Sequence, residues 1–219
     1  MGEITLTTPQ QTILTILGKE PYFPKTFYLT GGTALAAFYY HHRKSEDIDL
    51  FTPNAFDQQF VRSWIDKEKT KRKWTVTYTQ VFERQTYEIS WSKNHVKIEF
   101  VHYPYKQISR SSLFHQGFQI DSKGDIATNK LLTISQRTTT KDFVDLYYLL
   151  KKDFTIWDLF HSVENKFGME IEPVYAASLL GKADGLTSLP MMKKKLKLEE
   201  LQRFFKKETL TLASKFVRK

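Results

Sequence analysis

Apolar and polar positions change their rhythm midway along the 219-residue chain. Near the start, Thr8-Pro9 offers a helix cap and a first-turn proline, and Ile13, Leu14 and Leu17 recur at helical spacing, so a helix is expected to end near Gly18. Residues 26–30 (TFYLT) read as a short strand, broken by Gly31-Gly32, and residues 33–42 (TALAAFYYHH) hold helix formers without a breaker. Residues 47–51 (DIDLF) alternate acid with apolar, the pattern of a strand with one buried face. Further strands are expected at 74–81, 87–91 and 96–103. Beyond Tyr103-Pro104 the apolar spacing becomes three and four, which predicts helices over 125–136, 141–151, 157–167, 172–180 and 198–216. The reading is an α+β fold: a mixed sheet with flanking helices over residues 1–105, then a helical domain over 106–219.

Composition narrows the class. With 41% hydrophobic and 26% charged residues and a core supply of 17 Phe, 11 Tyr and 4 Trp, the chain reads as globular. Zero cysteines exclude disulfides, thiolate nucleophiles and Cys-ligated zinc. No apolar run reaches the ~18 residues of a membrane span, and residues 1–10 lack a basic flank before a greasy stretch, so a cytoplasmic protein with no membrane attachment is expected. The net charge of +9 is polarised: residues 191–219 hold ten Lys/Arg against three Glu and carry +7 of it. A basic C-terminal end favours a polyanionic partner such as RNA.

The chemistry concentrates in residues 28–51, YLTGGTALAAFYYHHRKSEDIDLF. Gly31-Gly32, placed between a strand and a helix, lets the backbone approach an anion while the helix start aims unpaired N–H groups at it. On a strand, Asp47 and Asp49 face one side with Cα atoms ~6.6 Å apart. Ile48 and Leu50 then point into the core and hold the pair rigidly. Converging carboxylates ask for a cation, and hard divalent ions such as Mg²⁺ take carboxylate oxygens together with phosphates. Glu99, in the strand HVKIEFVHY, supplies a third acid on the side shared by Lys97 and Val101; a solvated acidic edge for the Asp pair and a lysine ion pair for Glu99 are the competing readings. The six histidines show no metal-ligand spacing.

The order Gly-Gly-Thr, helix, Arg43-x-Ser45-x-Asp47-x-Asp49, then a lone acid on a later strand resembles the polymerase-beta-like nucleotidyltransferase superfamily, and within it the AbiEii/AbiGii toxin family. Asp125, Lys130-Leu131-Leu132, Arg137, Lys141-Asp142 and Asp145-Leu146-Tyr147 are similar, in order, to that family's downstream motifs. Glu99 stands where Asp is common in the superfamily. The resemblance implies a nucleotidyltransferase sheet followed by a helical bundle, and a nucleotide site in which Gly31, Gly32 and Thr33 bind the triphosphate of an NTP with Arg43 and Ser45 beside them. It also implies that Asp47 and Asp49 hold Mg²⁺ or Mn²⁺, that Glu99 completes the metal site and helps deprotonate the attacking hydroxyl, and that Lys130 steadies the phosphates. Asp142 and Asp145 would line the same site, with Arg137 and Lys141 as charge partners. The implied activity is transfer of NMP from an NTP to a hydroxyl of RNA, such as tRNA, or of protein, as the toxin of a toxin–antitoxin pair restrained by an antitoxin protein. A catalytically silent nucleotide or nucleic-acid binding module on the same fold is the alternative. A metal-dependent phosphohydrolase would use the same acids but would leave the glycine turn without a role.

Overall fold

A computed structural model describes residues 4–217, with side chains up to Ser214. Residues 1–3 of the N-terminal stretch, and the basic side chains of Lys215, Arg218 and Lys219, lie outside the described residues. The chain divides into two compact units. The first comprises the chain up to Phe38, Ser45–Lys106 and Arg110–Asp121; the second comprises Tyr39–Lys44, Gln107–Ser109 and the chain from Ser122 on.

In the first unit, helix α1 (Thr8–Gly18) opens on a reciprocal cap. The Thr7 hydroxyl accepts from the Gln10 backbone N–H, and the Gln10 side chain accepts from the Thr7 N–H. The cap therefore falls on Thr7, one residue before the Thr8 expected, because Gln10 three positions later completes the box. Helix α2 (Tyr22–Thr26) occupies part of the segment expected to be strand, and β1 is only Tyr28–Thr30. The cause is tertiary: Phe23 is fully buried, with its ring 4.7 Å from Trp64 and 5.6 Å from Phe100. Gly31–Ala34 forms the α-helical turn α3, which continues as a π-helix over Leu35–Tyr40. Strand β2 (Asp47–Thr52) follows, then α4 (Gln58–Arg72), β3 (Thr75–Val81), β4 (Arg84–Trp91) and β5 (Asn94–His102), and finally the short β6 (Phe114–His115) and β7 (Phe118–Ile120).

These strands make one seven-stranded sheet in the order β3-β4-β5-β2-β1-β7-β6. It is mixed: β2 runs parallel to β5 and antiparallel to β1, while β1 runs parallel to β7. The core lies on one face, where Leu29, Ile48, Leu50, Ile98, Phe100, Tyr87 and Ile89 are buried. Burying a side chain of that size is worth ~1.5–3 kcal/mol, so β2 and β5 are anchored from behind. Their other face carries the acids.

The second unit is helical: α5 (Lys123–Gln136), α6 (Thr140–Lys152), α7 (Ile156–Phe167), α8 (Pro173–Gly181) and α9 (Leu198–Val217). Helix α5 packs on α6 and α7, and α9 packs on α6 and α8. The Phe143 and Phe205 rings, both fully buried, meet edge to face at 5.2 Å. Among the described residues no helix is long and apolar enough to cross a membrane.

Candidate active site

Strand β2 alternates as its sequence predicts: Ile48, Leu50 and Thr52 are buried, and Asp47, Asp49 and Phe51 are half-exposed on the opposite face. Registry then aligns a polar row across three strands, with Thr30 of β1 beside Asp49 of β2 and Asp49 beside Glu99 of β5. The next row pairs Asp47 with Lys97. Paired residues share a face, so the three acids expected to meet stand on neighbouring strands of one surface.

Gly31 closes the end of this row. Its φ is +73°, a conformation that L side chains rarely adopt, and a Cβ built there would lie 2.1 Å from Asp49 Oδ2. The absent side chain is thus what makes room for the Asp49 carboxylate against the backbone at the start of α3. Gln10 fixes the surrounding loop from below. Its side-chain amide donates to Thr33 Oγ1 at 3.2 Å, to the Ser45 carbonyl at 3.0 Å and to the Asp47 carbonyl at 3.2 Å, and the Thr33 hydroxyl also donates to the Asp47 carbonyl. Thr33, Ser45 and Asp47 are therefore held in one hydrogen-bonded frame, with Gly32 buried inside the turn.

Both Glu99 oxygens are engaged. Lys97 Nζ lies 2.7 Å from Oε1, and Arg84 Nη1 donates to Oε2 at 3.0 Å. Burial acts to lower the Lys97 pKa, but its bond to Glu99, with the negative charges of Glu99, Asp47 and Asp49, raises it above the ordinary lysine value. Lys97 is thus an ammonium set among three carboxylates. Among the described residues no group of three or more histidine, aspartate and glutamate side chains is arranged to hold a metal ion. The donors that do fit a hard divalent cation are Asp47 and Asp49, a same-face carboxylate pair beside the glycine turn.

The remaining expected residues, Arg43, Lys130, Asp142 and Asp145, gather in the second unit around α5 and α6. Asp145 is fully buried and accepts a two-pronged bond from Arg43, Nε to Oδ1 and Nη2 to Oδ2, both at 2.7 Å. His42 Nε2 lies 2.8 Å from the same Oδ1, and Lys130 Nζ lies 2.7 Å from Oδ2. Lys130 also donates to Asp142 Oδ1 at 2.7 Å, and Arg137 Nε donates to Asp142 Oδ2 at 2.9 Å. Burial pushes both carboxyls up, yet the cations win: Lys130 with Arg137 lowers Asp142 to about 2, and Lys130 with Arg43 holds Asp145 well below the usual carboxylate range. Burial lowers the His42 pKa below the ordinary histidine value in spite of its bond to Asp145, and among the described residues its buried Nδ1 has no hydrogen-bond partner.

Sequence reasoning passed over Gln10 and Arg84 as parts of the site, and met Lys97 only through the competing lysine ion-pair reading of Glu99, a pair that the structure contains. Gln10 had a signal, a lone amide on the buried face of α1, three residues before Ile13. Arg84 had none, because the turn that sets its register leaves no mark in the apolar pattern.

The fold is that of solved nucleotidyltransferases. The structure is similar to the nucleotidyltransferase toxin MenT4 of Mycobacterium tuberculosis H37Rv, with a TM-score of 0.57 and 13% identity over 93% of this chain and 81% of that one. It is also similar to JHP933 of Helicobacter pylori, with a TM-score of 0.58 and 20% identity over 98% and 96% of the two chains. The model of the family described as "Nucleotidyl transferase AbiEii toxin, Type IV TA system" matches residues 13–213, and the chain belongs to that family. A curated relative, the uncharacterized protein aq_aa25 of Aquifex aeolicus (strain VF5), is 34% identical over 136 residues, 61% of this chain and 61% of that protein's length.

Proposed function

We propose that the protein transfers a nucleoside monophosphate from an NTP to a hydroxyl group of RNA. The observation that carries this reading is the row Thr30, Asp49, Glu99, closed by a glycine whose missing side chain makes room for the Asp49 carboxylate. Membership of the AbiEii family supports it. Gly31, Gly32 and Thr33 would receive the phosphates. Asp47 and Asp49 would hold Mg²⁺ or Mn²⁺, which supplies charge neutralisation for the triphosphate when bound. In the transfer, the acceptor oxygen forms a bond to the α-phosphorus, the bond from that phosphorus to the bridging oxygen of the β-phosphate breaks, and pyrophosphate leaves with the electron pair. The hydroxyl proton would pass to Glu99, which Lys97 and Arg84 hold in place as the third acid. Arg43, Lys130, Asp142 and Asp145, which the family resemblance implies as site residues, form one buried ion-pair cluster within the second unit, where the aspartates fix the positions of the two cations. A protein antitoxin would restrain the activity in a toxin–antitoxin pair.

The same pairing of Glu99 favours a second reading, nucleotide binding without turnover. Incubating the protein with α-labelled NTPs, Mg²⁺ and total RNA separates the two. Label appearing in RNA is the expected result; retention of nucleotide without transfer would establish the silent module, and release of free phosphate would establish a hydrolase.

A further inference from the structure

Beyond the acids, the same sheet face continues as a row of aromatic rings. The Phe51 ring lies 6.4 Å from Tyr28 and 5.2 Å from Tyr103, and Tyr103 lies 5.0 Å from Tyr105. Tyr103 extends the β2–β5 register, its backbone N–H donating to the Thr52 carbonyl at 2.8 Å. Pro104 then fixes the backbone between the two tyrosines, and the Tyr105 N–H turns back to the Tyr103 carbonyl at 2.6 Å. Phe51 and Tyr103 are half-exposed and Tyr105 is 38% exposed, whereas the aromatics of the opposite face, Tyr87 and Phe100, are buried. Rings held rigidly at a polar surface beside three carboxylates are poorly explained as core.

Direction along β2 identifies the occupant. Strand β1 runs toward Gly31 and β2 runs away from it, with Thr30 beside Asp49 and Tyr28 beside Phe51. Phe51 therefore sits ~6.6 Å past Asp49 on the side away from the glycine turn. In phosphoryl transfer the attacking and leaving oxygens are roughly in line across the phosphorus. With the leaving phosphates at Gly31, the attacker enters from the side of Phe51. We infer that Phe51, Tyr103 and Tyr105 form a stacking platform for the nucleobase that carries or neighbours the attacking hydroxyl, which makes the acceptor a single-stranded nucleic acid end and gives these three residues a positioning role. The inference rests on the transfer reading for its direction, while the platform itself is measurable without turnover.

The test is the affinity of a short single-stranded RNA oligonucleotide, without NTP or divalent metal, read by fluorescence anisotropy for the full chain and for Tyr103→Ala, Tyr105→Ala and Tyr103→Phe. Stacking on an aromatic ring is worth ~1–3 kcal/mol per base, so each alanine variant is expected to lose about tenfold in affinity while Tyr103→Phe keeps it. An abasic oligonucleotide of the same length should bind all four proteins equally, and NTP affinity should not change. Equal RNA affinity across the variants, or a loss confined to NTP, would overturn the platform. Oligonucleotide binding that depends on these rings, in a protein that transfers no label, would uphold the platform and overturn the transfer reading instead.

Discussion

Gly31 is the residue on which the site's geometry turns, because two independent constraints meet there. Its φ of +73° costs a Cβ-bearing residue ~1–2 kcal/mol, and the same Cβ would strike Asp49 Oδ2. Gly31→Ala is expected to abolish nucleotidyl transfer and to lower stability by about 2 kcal/mol. In an Asp49→Ala background the stability loss should shrink by about 1 kcal/mol, since the steric part disappears and only the backbone part remains. Denaturant melts of the four proteins of this cycle check it, and strict additivity would show that Asp49 is not what Gly31 accommodates. At this scale the alternation of residues 47–51 was legible, because Ile48 and Leu50 declare the buried side of β2. The cationic environment of Glu99 was only half legible: Lys97 shares its strand and face, whereas Arg84 reaches Glu99 through a hairpin register that no local pattern encodes.

Among the elements, α5 and α6 carry the most electrostatic commitment. Asp142 and Asp145 are both fully buried, and Lys130 is bonded to both. Removing a partner leaves buried charge uncompensated, so Lys130→Met is expected to destabilise the protein by about 3 kcal/mol in a denaturant melt, and a change below 1 kcal/mol would contradict the clamp. Acid sensitivity follows from the same pairs. Both carboxyl pKa values lie below the ordinary 3.8, so their contribution is complete above that pH and is lost as pH falls toward 2. His42 adds a loss that starts earlier: its lowered pKa means that, as pH falls through 6.5, the unfolded chain takes up a proton the folded ring resists. Melting temperature should therefore decline below about pH 6.5 and again below about pH 4. Asp142→Asn should flatten the lower step, and an unchanged lower step would remove Asp142 from the account.

The long regular elements could be read from spacing, α5, α6 and α9 to within two residues, because their apolar stripes are wide. Helix α4 was passed over although Phe60, Val61, Trp64 and Ile65 recur at helical spacing, because that apolar stripe is short and the rest of the segment is polar and charged. Strand β4 starts earlier than its apolar pattern predicts because a polar residue, Gln85, is buried there, with its amide donating to the Gln58 carbonyl at 3.1 Å. The bond from Arg43 to Asp145 spans 102 residues and was likewise invisible.

At the scale of the whole molecule, the net charge of +9 is a statement about partners. Helix α9 buries Leu201, Phe205 and Leu212 and turns Arg203, Lys206 and Lys207 outward in a stripe with Leu210, Thr211 and Ser214. Reversing those three charges to Glu should weaken RNA binding and reduce the slope of log affinity against log salt by at least ~2, at ~0.7 per phosphate contact on single strands. An unchanged slope would exclude α9 from the RNA path.

Whether the acidic face of this sheet performs nucleotidyl transfer is decided by incubating α-labelled NTP with RNA and Mg²⁺, with Asp47→Asn measured alongside. Label should become covalently attached to RNA with the natural chain and not with Asp47→Asn, whose melting temperature should be unchanged or slightly higher because a like-charge repulsion is relieved. Equal labelling by both proteins, or none by the natural chain, would contradict this role of the acidic face.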